Sequence, residues 1–370
     1  MDTKTDWVLV TGDSRGAVAA VRALAAAGCR PAVTTSGSGS MAGASRFCAR
    51  RIRVPDAALD PTGYAAAIRA EADRTLYLAI LPATDAAITA LALPEARLMD
   101  KVAWAPMARD AGLAVPPTAV FGSREELAAA ADRLDFPIVA KPNLKRFTAQ
   151  YLAGPQDLDR VPDVPGRLLV QPYLRDPMHG MIGLAWHGRL VAATQFRYER
   201  VWPFPCGTVS AAETVVPDEA LIRAFERLLV DFDGIFHADL AGPYLLDLNP
   251  RIHATLPLAA AAGTDLIALY CGLLRGHTVG PARGRPGIFF RWLEGDTRSI
   301  VRGVRDGRLG LRDAVRAGRP RRGEVHGVES LTDPLPMLQR LHKIPGAVRR
   351  QLARGRNTPP VEPRTERGPS

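Results

Sequence analysis

Residues 238–251, Ala-Asp-Leu-Ala-Gly-Pro-Tyr-Leu-Leu-Asp-Leu-Asn-Pro-Arg, constrain the chain more than any other stretch. They read as a β-hairpin: Leu245, Leu246 and Leu248 supply an apolar strand, and Ala-Gly-Pro supplies the turn. Side chains alternate between the faces of a sheet, so Asp247 and Asn249 point the same way. If the strands pair across the turn, Asp239 falls opposite or near Asp247, a point that depends on register. Two carboxylates and an amide oxygen would then converge, a hard-oxygen set suited to Mg²⁺ that also holds phosphates. Arg251 adds a fixed cation on the same side. A surface hairpin with solvated polar residues shows the same pattern, so the rest of the chain decides.

A length of 370 residues suggests two or three domains, and 47% hydrophobic with 23% charged residues is ordinary globular composition. Four scattered cysteines, Cys29, Cys48, Cys206 and Cys271, form no CxxC pair. They argue against a disulfide framework or zinc site and fit a reducing compartment. The first residues carry acids rather than a long apolar run, and no apolar stretch reaches the ~18–20 residues of a membrane span, so the expected location is cytoplasmic. The net charge of +10 is concentrated at one end: residues 301–370 hold sixteen Lys/Arg against seven Asp/Glu. That reads as a solvated basic tail; contact with nucleic acid or an anionic surface is the rival reading, and no specific nucleic acid is expected.

In chain order, Trp7 to Thr11 is a buried-type strand, 12–16 a turn, 17–27 a helix stopped by Gly28, and 31–35 a second strand. This is the opening β-α-β of a doubly wound sheet. The turn is not GxGxxG, and none of the seven tyrosines is followed four residues later by Lys, which excludes the short-chain dehydrogenase pattern. A helix is expected over 61–74 and a strand over 76–81, with Asp85 as N-cap of the next helix. Further helices are expected over 101–111, 124–134, 219–231 and 256–262, and another over 265–274 after Gly263. Strands are expected over 136–142 and 167–174, and a hairpin over 181–196 around His187-Gly188. Residues from Arg197 through Arg200 to Thr208 read as an irregular loop. Lys141 ends a strand beside a polar loop, where an ammonium either snorkels to solvent or meets a phosphate. His237 and His253 flank the candidate metal strand. Cys206 has no neighbouring base to make it a nucleophile.

Four strings in order resemble the ATP-grasp superfamily of carboxylate–amine ligases: Lys101 opening the helix that ends Arg-Asp-Ala-Gly-Leu-Ala-Val-Pro-Pro-Thr (109–118), Phe-Pro-Ile-Val-Ala-Lys-Pro (136–142), Leu-Val-Gln-Pro-Tyr-Leu (169–174) and Leu-Leu-Asp-Leu-Asn-Pro-Arg (245–251). Ser-Arg-Phe-Cys (45–48) and Asp-Pro-Leu-Pro (333–336) suggest an unassigned bacterial branch. The resemblance covers roughly residues 1–275. It implies an α/β and α+β chain: a Rossmann-like doubly wound parallel-sheet domain over 1–100, then an ATP-grasp fold with two α+β subdomains. These are a small lid over 101–175 and a central metal-binding subdomain over 176–300, followed by an extension over 301–344 and a basic, disordered tail over 345–370. It implies ATP and Mg²⁺, as one ion or two and with Mn²⁺ able to substitute, and small-molecule carboxylate and amine substrates joined with release of ADP and phosphate. Oligomeric state is open, a homodimer being one option.

Residue by residue, the resemblance puts Lys101 and Lys141 on phosphates and adenine on the backbone of Gln171, Pro172, Tyr173 and Leu174, with Asp176 at the ribose. Metal falls to Asp239, Asp247 and Asn249, developing charge to Arg251, and the substrate carboxylate or acyl phosphate to Arg197 and Arg200. Three positions depart from the family pattern. The loop after Lys141 lacks glycine until Gly154, with Lys145 and Arg146 offering charge instead of backbone donors. Pro172 stands where an acidic residue is common, and Asp247 where Glu is usual. These departures leave open an alternative, a non-catalytic ATP-binding regulator or scaffold of the same fold.

Overall fold

The computed structural model describes residues 5–37, 39–144 and 147–340. The chain forms three sheets. The first is fully parallel and comprises β1 (Trp7–Thr11), β2 (Arg30–Thr35), β3 (Arg50–Arg53) and β4 (Ala79–Pro82), in the order β3-β2-β1-β4. Its crossovers are α1 (Arg15–Ala26), the short α2 (Met41–Ala44) and α3 (Pro61–Arg74), the last with Asp60 as N-cap and proline at its first position. The expected opening of a doubly wound sheet is therefore present. After β4 comes α4 (Asp85–Ala90), and here one expectation is corrected. Thr84, not Asp85, is the N-cap, its side chain accepting from the Ala87 N–H, which leaves the Asp85 carboxylate available for another partner.

The second sheet is small and antiparallel. After α5 (Lys101–Asp110) come β5 (Ala119–Phe121), α6 (Arg124–Ala129), β6 (Ile138–Pro142), β7 (Gln150–Leu152) and β8 (Leu168–Pro172), with the strands in the order β5-β8-β6-β7. It encloses a core of its own around Leu127, Ile138, Leu152, Val161 and Val170. The expected helix over 124–134 is shorter than expected and continues as a single 3₁₀ turn at Ala131–Arg133.

The third sheet has eight strands. Its main path runs β13 (Tyr244–Asn249), β12 (Gly234–Ala241), β9 (Met178–Trp186), β10 (Arg189–Trp202), β11 (Thr208–Thr214), β15 (Phe289–Arg291) and β16 (Val325–His326), and β14 (Ala282–Arg283) lies against β10. His187 and Gly188 both have positive φ, the two-residue turn that matches the twist of a hairpin. The strand after this turn runs to Trp202, so the stretch from Arg197 to Trp202 is ladder rather than loop. Arg197 pairs with His179 on one side and Glu213 on the other.

Helices cover both faces of this sheet. Trp104 and Ala108 of α5 and Phe225 and Leu228 of α7 (Glu219–Leu228) pack against Phe236, Ala238, Leu240, Leu245 and Leu248 on one face. On the other face, Ile182, Leu184 and Phe196 meet α1, α8 (Leu256–Ala261) and α9 (Leu266–Leu274). Asp265 caps α9, accepting from the Ala268 N–H. Helices α10 (Leu293–Arg305) and α11 (Leu311–Gly318) follow. Among the described residues, no helix is long and apolar enough to cross a membrane. The basic tail over 345–370 lies outside the described residues.

Two strings that sequence alone could not assign, 45–48 and 333–336, meet. The Asp333 carboxylate is buried and accepts from Ser45 Oγ at 2.8 Å, the Arg46 N–H at 2.9 Å and Arg22 Nε at 2.8 Å. Arg22 also donates to the Asp333 carbonyl at 3.0 Å, and Arg46 to the Thr332 carbonyl at 3.1 Å. This contact fixes the end of the described chain to the parallel-sheet unit almost 290 residues away. An Asp333→Ala substitution strands Arg22 and two further donors, and is expected to destabilise the protein by about 3 kcal/mol, read as a lower midpoint in denaturant unfolding. An unchanged midpoint would show that the contact contributes nothing to stability.

Candidate active site

The hairpin of β12 and β13 holds the centre. Its register places Asp239 directly opposite Asp247 and His237 opposite Asn249. On the turn side of that pair the register shifts: Asp239 faces Asp247, but Leu240 faces Leu245. Leu246 is therefore an extra residue in β13, a β-bulge. Without the bulge, Leu245 and Asp247 would share a face. With it, Leu245 turns into the core beneath α5 and α7 while Asp247 joins Asp239 on the opposite face. The bulge also turns the Leu246 carbonyl out to accept from Lys141 Nζ at 2.8 Å.

Both lysines reach this point from other elements. Lys101 is the first residue of α5, whose N-cap Asp100 accepts from the N–H groups of Val102 and Ala103. Its Nζ lies 2.8 Å from an Asp247 oxygen and 3.4 Å from the Asn143 carbonyl. The Asn143 side chain in turn accepts from the Val102 N–H, tying α5 to the end of β6. Lys141 rises from β6, and both lysines are only 9% exposed. Burial lowers the Lys141 pKa to about 8, with repulsion from Lys101 adding to the effect and Asp247 opposing it. Cys206 also lies near Lys141, and burial pushes its thiol up to about 12, the opposite of what a nucleophile needs.

Past the hairpin, Arg251 Nη2 donates to Asn249 Oδ1 at 2.9 Å, and its Nε is hydrogen-bonded to Asp85 at the start of α4. Backbone contact follows immediately, with the Ile252 N–H on the Pro82 carbonyl. Gly16, at the start of α1, lies so close to this segment that a Cβ there would come within 3.1 Å of the Ile252 carbonyl and the His253 backbone. The C-terminal edge of the parallel sheet thus abuts the carboxylate strand. His237 is 1% exposed, stacks on His253 with ring centroids 3.6 Å apart, and holds Nδ1 3.8 Å from Asp239.

Lys101, Lys141, Asp239, Asp247, Asn249 and Arg251 therefore come together, from three different parts of the chain. Arg197 and Arg200 do not join them. Alternation along β10 puts Arg197 on the face opposite Phe196 and Tyr198, which is also opposite the carboxylates, and it is exposed there. Arg200 is held by Asp296 through two hydrogen bonds of 2.6 and 3.1 Å, and Arg291 donates to the same fully buried carboxylate. That guanidinium is committed to packing α10 on the sheet. Of the expected adenine segment, Gln171 is buried with its amide on Thr118 Oγ1 at 2.8 Å, and it lines one cavity with Lys101, Thr118 and Leu246. Pro172 is exposed, the Tyr173 N–H is taken by the Pro137 carbonyl, and Leu174 is half-buried. Asp176 packs against Gly242 at the hairpin turn, where φ is +51° and a Cβ would meet its carboxylate. Lys145 and Arg146 lie outside the described residues.

Sequence reasoning missed Tyr198 and Gly180. The Tyr198 hydroxyl donates to Asp239 across Gly180, which lies between the two in the sheet. A Cβ on Gly180 would come within 2.8 Å of the Phe196 ring and 3.0 Å of the Tyr198 hydroxyl. The available signal was a glycine inside a strand, which marks a close approach. As a ligand set, Asp239, Asp247 and Asn249 offer two carboxylates and one amide. That is too few for a closed protein cage but fits Mg²⁺, which keeps water and phosphate oxygens in its shell. Among the described residues, no group of three or more His, Cys, Asp or Glu could hold a metal by itself.

Compared by sequence, the chain matches no family model and no curated protein. Compared by fold, it is similar to an L-amino acid ligase from Bacillus licheniformis, with TM-score 0.57 and 13% identity over 72% of this chain and 74% of that one. It is also similar to the biotin carboxylase domain of 2-oxoglutarate carboxylase from Hydrogenobacter thermophilus, described as a dimer with MgADP, ADP and bicarbonate. There the TM-score is 0.58 and identity 14% over 77% and 73%. An ADP complex of N5-carboxyaminoimidazole ribonucleotide synthetase gives TM-score 0.61 and 12% identity over 81% and 85%. These neighbours are ATP-grasp proteins, and the chain has the ATP-grasp fold that its motifs led one to expect. At such identities the likeness is one of fold.

The burial of Lys141 has a consequence for stability. Its folded pKa of about 8 lies below the ordinary 10.5, so between those values the unfolded chain binds more protons and stability rises with pH. Relative to a Lys141→Met variant, the wild type is expected to gain about 2 kcal/mol between pH 7.5 and 9.5 in denaturant unfolding. A pH-independent difference between the two would mean that the ammonium is not desolvated.

Proposed function

We propose that this protein is an ATP-dependent ligase that activates a carboxylate as an acyl phosphate for attack by an amine, as in amino-acid or peptide ligation. The observation that carries the reading is the convergence of Lys101 and Lys141 with Asp239, Asp247, Asn249 and Arg251 on one face of one sheet, within an ATP-grasp fold. In this reading residues 1–100, 101–175 and 176–300 serve as the parallel-sheet, lid and central units, and one or two Mg²⁺ ions accompany the nucleotide.

Each residue's part follows from its chemistry. Lys101 and Lys141 neutralise nucleotide phosphates, and their burial strengthens that attraction because little water screens it. Lys101 rests on Asp247 and Lys141 on the Leu246 carbonyl, so both ammoniums are held in position before nucleotide arrives. Asp239, Asp247 and Asn249 would hold Mg²⁺, which supplies charge neutralisation on phosphoryl oxygens. Tyr198 orients Asp239 through its hydroxyl. Arg251, fixed between Asp85 and Asn249, faces charge that develops on the transferred phosphoryl group. Little covalent work falls to the protein.

With ATP, Mg²⁺ and a panel of amino acids, purified protein is expected to release ADP in a substrate-dependent way. Asp247→Ala and Lys141→Ala are each expected to lower kcat/KM by about a hundredfold or more. A genuine substrate-dependent activity that survived both substitutions would overturn the assignment. ATP binding by calorimetry without ADP release, across broad panels, would point instead to a nucleotide-binding regulator. For the wild type, ATP affinity is expected to weaken above pH 8 as Lys141 loses its proton.

A further inference from the structure

Cys29 and Cys271 are 242 residues apart in sequence, yet their Sγ atoms lie 3.6 Å apart in the buried seam between α1 and α9. The local fold accounts for each position. Helix α1 is stopped by Gly28, just past its C-cap Ala27 and with φ +73°, and the Cys29 N–H closes back onto the Leu24 carbonyl at 2.9 Å. That helix stop turns the next side chain inward. Cys271 stands on the buried face of α9, four residues before the C-cap Arg275, and Arg275 Nη2 donates to Cys29 Sγ at 3.2 Å. An exposed guanidinium thus reaches back over a thiol pair that is 5% and 1% exposed.

We infer that Cys29 and Cys271 form a reversible redox pair, which a small hydroperoxide converts to a disulfide that locks the parallel-sheet unit to α9. Three features favour it. The sulfurs already touch, and closing to bonding distance takes a movement of about 1.5 Å. The two thiols are unequal: a hydrogen bond from Cys271 and the Arg275 guanidinium stabilise the Cys29 thiolate against its burial, while Cys271 is held as the thiol. Third, Cys48 and Cys206 are not activated: burial raises both and outweighs the nearby Arg51 and Lys141.

The Cys29 thiolate attacks one oxygen of hydrogen peroxide, the O–O bond breaks, and hydroxide leaves as Cys29 becomes a sulfenic acid. Hydroxide takes the Cys271 proton to give water. The Cys271 sulfur then attacks Cys29 Sγ, the S–O bond breaks, and the second hydroxide is protonated to water by the proton Cys29 first released. Two thiols and one peroxide thus give one disulfide and two waters, and a dithiol reductant reverses the change. Near-complete burial of the pair disfavours reaction with bulky disulfides, so the oxidant must be small.

The test uses the full-length protein with hydrogen peroxide, then alkylation in denaturant and peptide mass mapping. Expected are a loss of about 2 Da, one cross-linked Cys29–Cys271 peptide, retained alkylation at Cys48 and Cys206, and reversal by dithiothreitol. Cys271→Ser is expected to leave Cys29 as a sulfenic acid trappable by dimedone, and Arg275→Gln, an exposed change, to slow cross-linking about tenfold. Oxidation of Cys48 or Cys206 while Cys29 and Cys271 stay alkylatable would overturn the proposal. So would sulfinic acid at Cys29 in the wild type without cross-link. Cross-linking of Arg275→Gln at the wild-type rate would overturn the activating role of the guanidinium.

Discussion

One extra residue in β13 makes the centre of this protein possible. A strand of period two cannot send Leu245 into a hydrophobic core and Asp247, two residues later, to the opposite face. The bulge at Leu246 resolves that conflict, and the alternation resumes beyond it, with Leu248 in the core and Asn249 beside Asp247. The carbonyl released from the ladder then becomes the seat of Lys141. Core packing and site geometry are thus two consequences of a single irregularity. Losing it would expose one set of side chains or bury the other.

Around this strand the charges are arranged so that none of the central groups faces an apolar surface alone. Two ammoniums share a largely dry space, an arrangement that costs free energy unless anions are near. Asp247 lies against Lys101, and a carbonyl dipole against Lys141. The residual strain surfaces as the lowered pKa of Lys141. In the proposed function such a site is preorganised for a polyanion, because incoming phosphates would relieve repulsion already present. Asp239 has the Tyr198 hydroxyl, and Arg251 is held from both sides by Asp85 and Asn249.

The same segment joins the units of the chain. Residues 249–253 lie against the C-terminal edge of the parallel sheet through Arg251–Asp85, Ile252–Pro82 and the close approach of Gly16. Asp333 adds a second tie between the end of the described chain and α1, and the Cys29–Cys271 contact lies in the seam between α1 and α9. The carboxylate strand is therefore braced by a unit that contributes Asp85 to the contact.

Much of this was legible in the sequence. Alternation of apolar residues and turn and helix-stop residues such as Gly28 pointed to the β-α-β opening and the hairpin, local signals carried by spacing within a few residues. The six residues that converge were picked out by the resemblance of four ordered strings to a known family. What sequence could not decide was non-local or depended on register. That Asp239 faces Asp247 required the pairing of two strands and a bulge with no sequence marker. Arg197 and Arg200 looked available because their stretch read as loop. Once β10 extends to Trp202, alternation carries Arg197 to the wrong face, and Asp296, 96 residues away, claims Arg200. Asp85 resembled a cap, yet its partner is Arg251, 166 residues on. The sequence by itself determined which candidate groups the chain carries. Only the tertiary structure decided which of those groups meet, because strand register and long-range pairing set side-chain direction, and neither is written in the residues next to them.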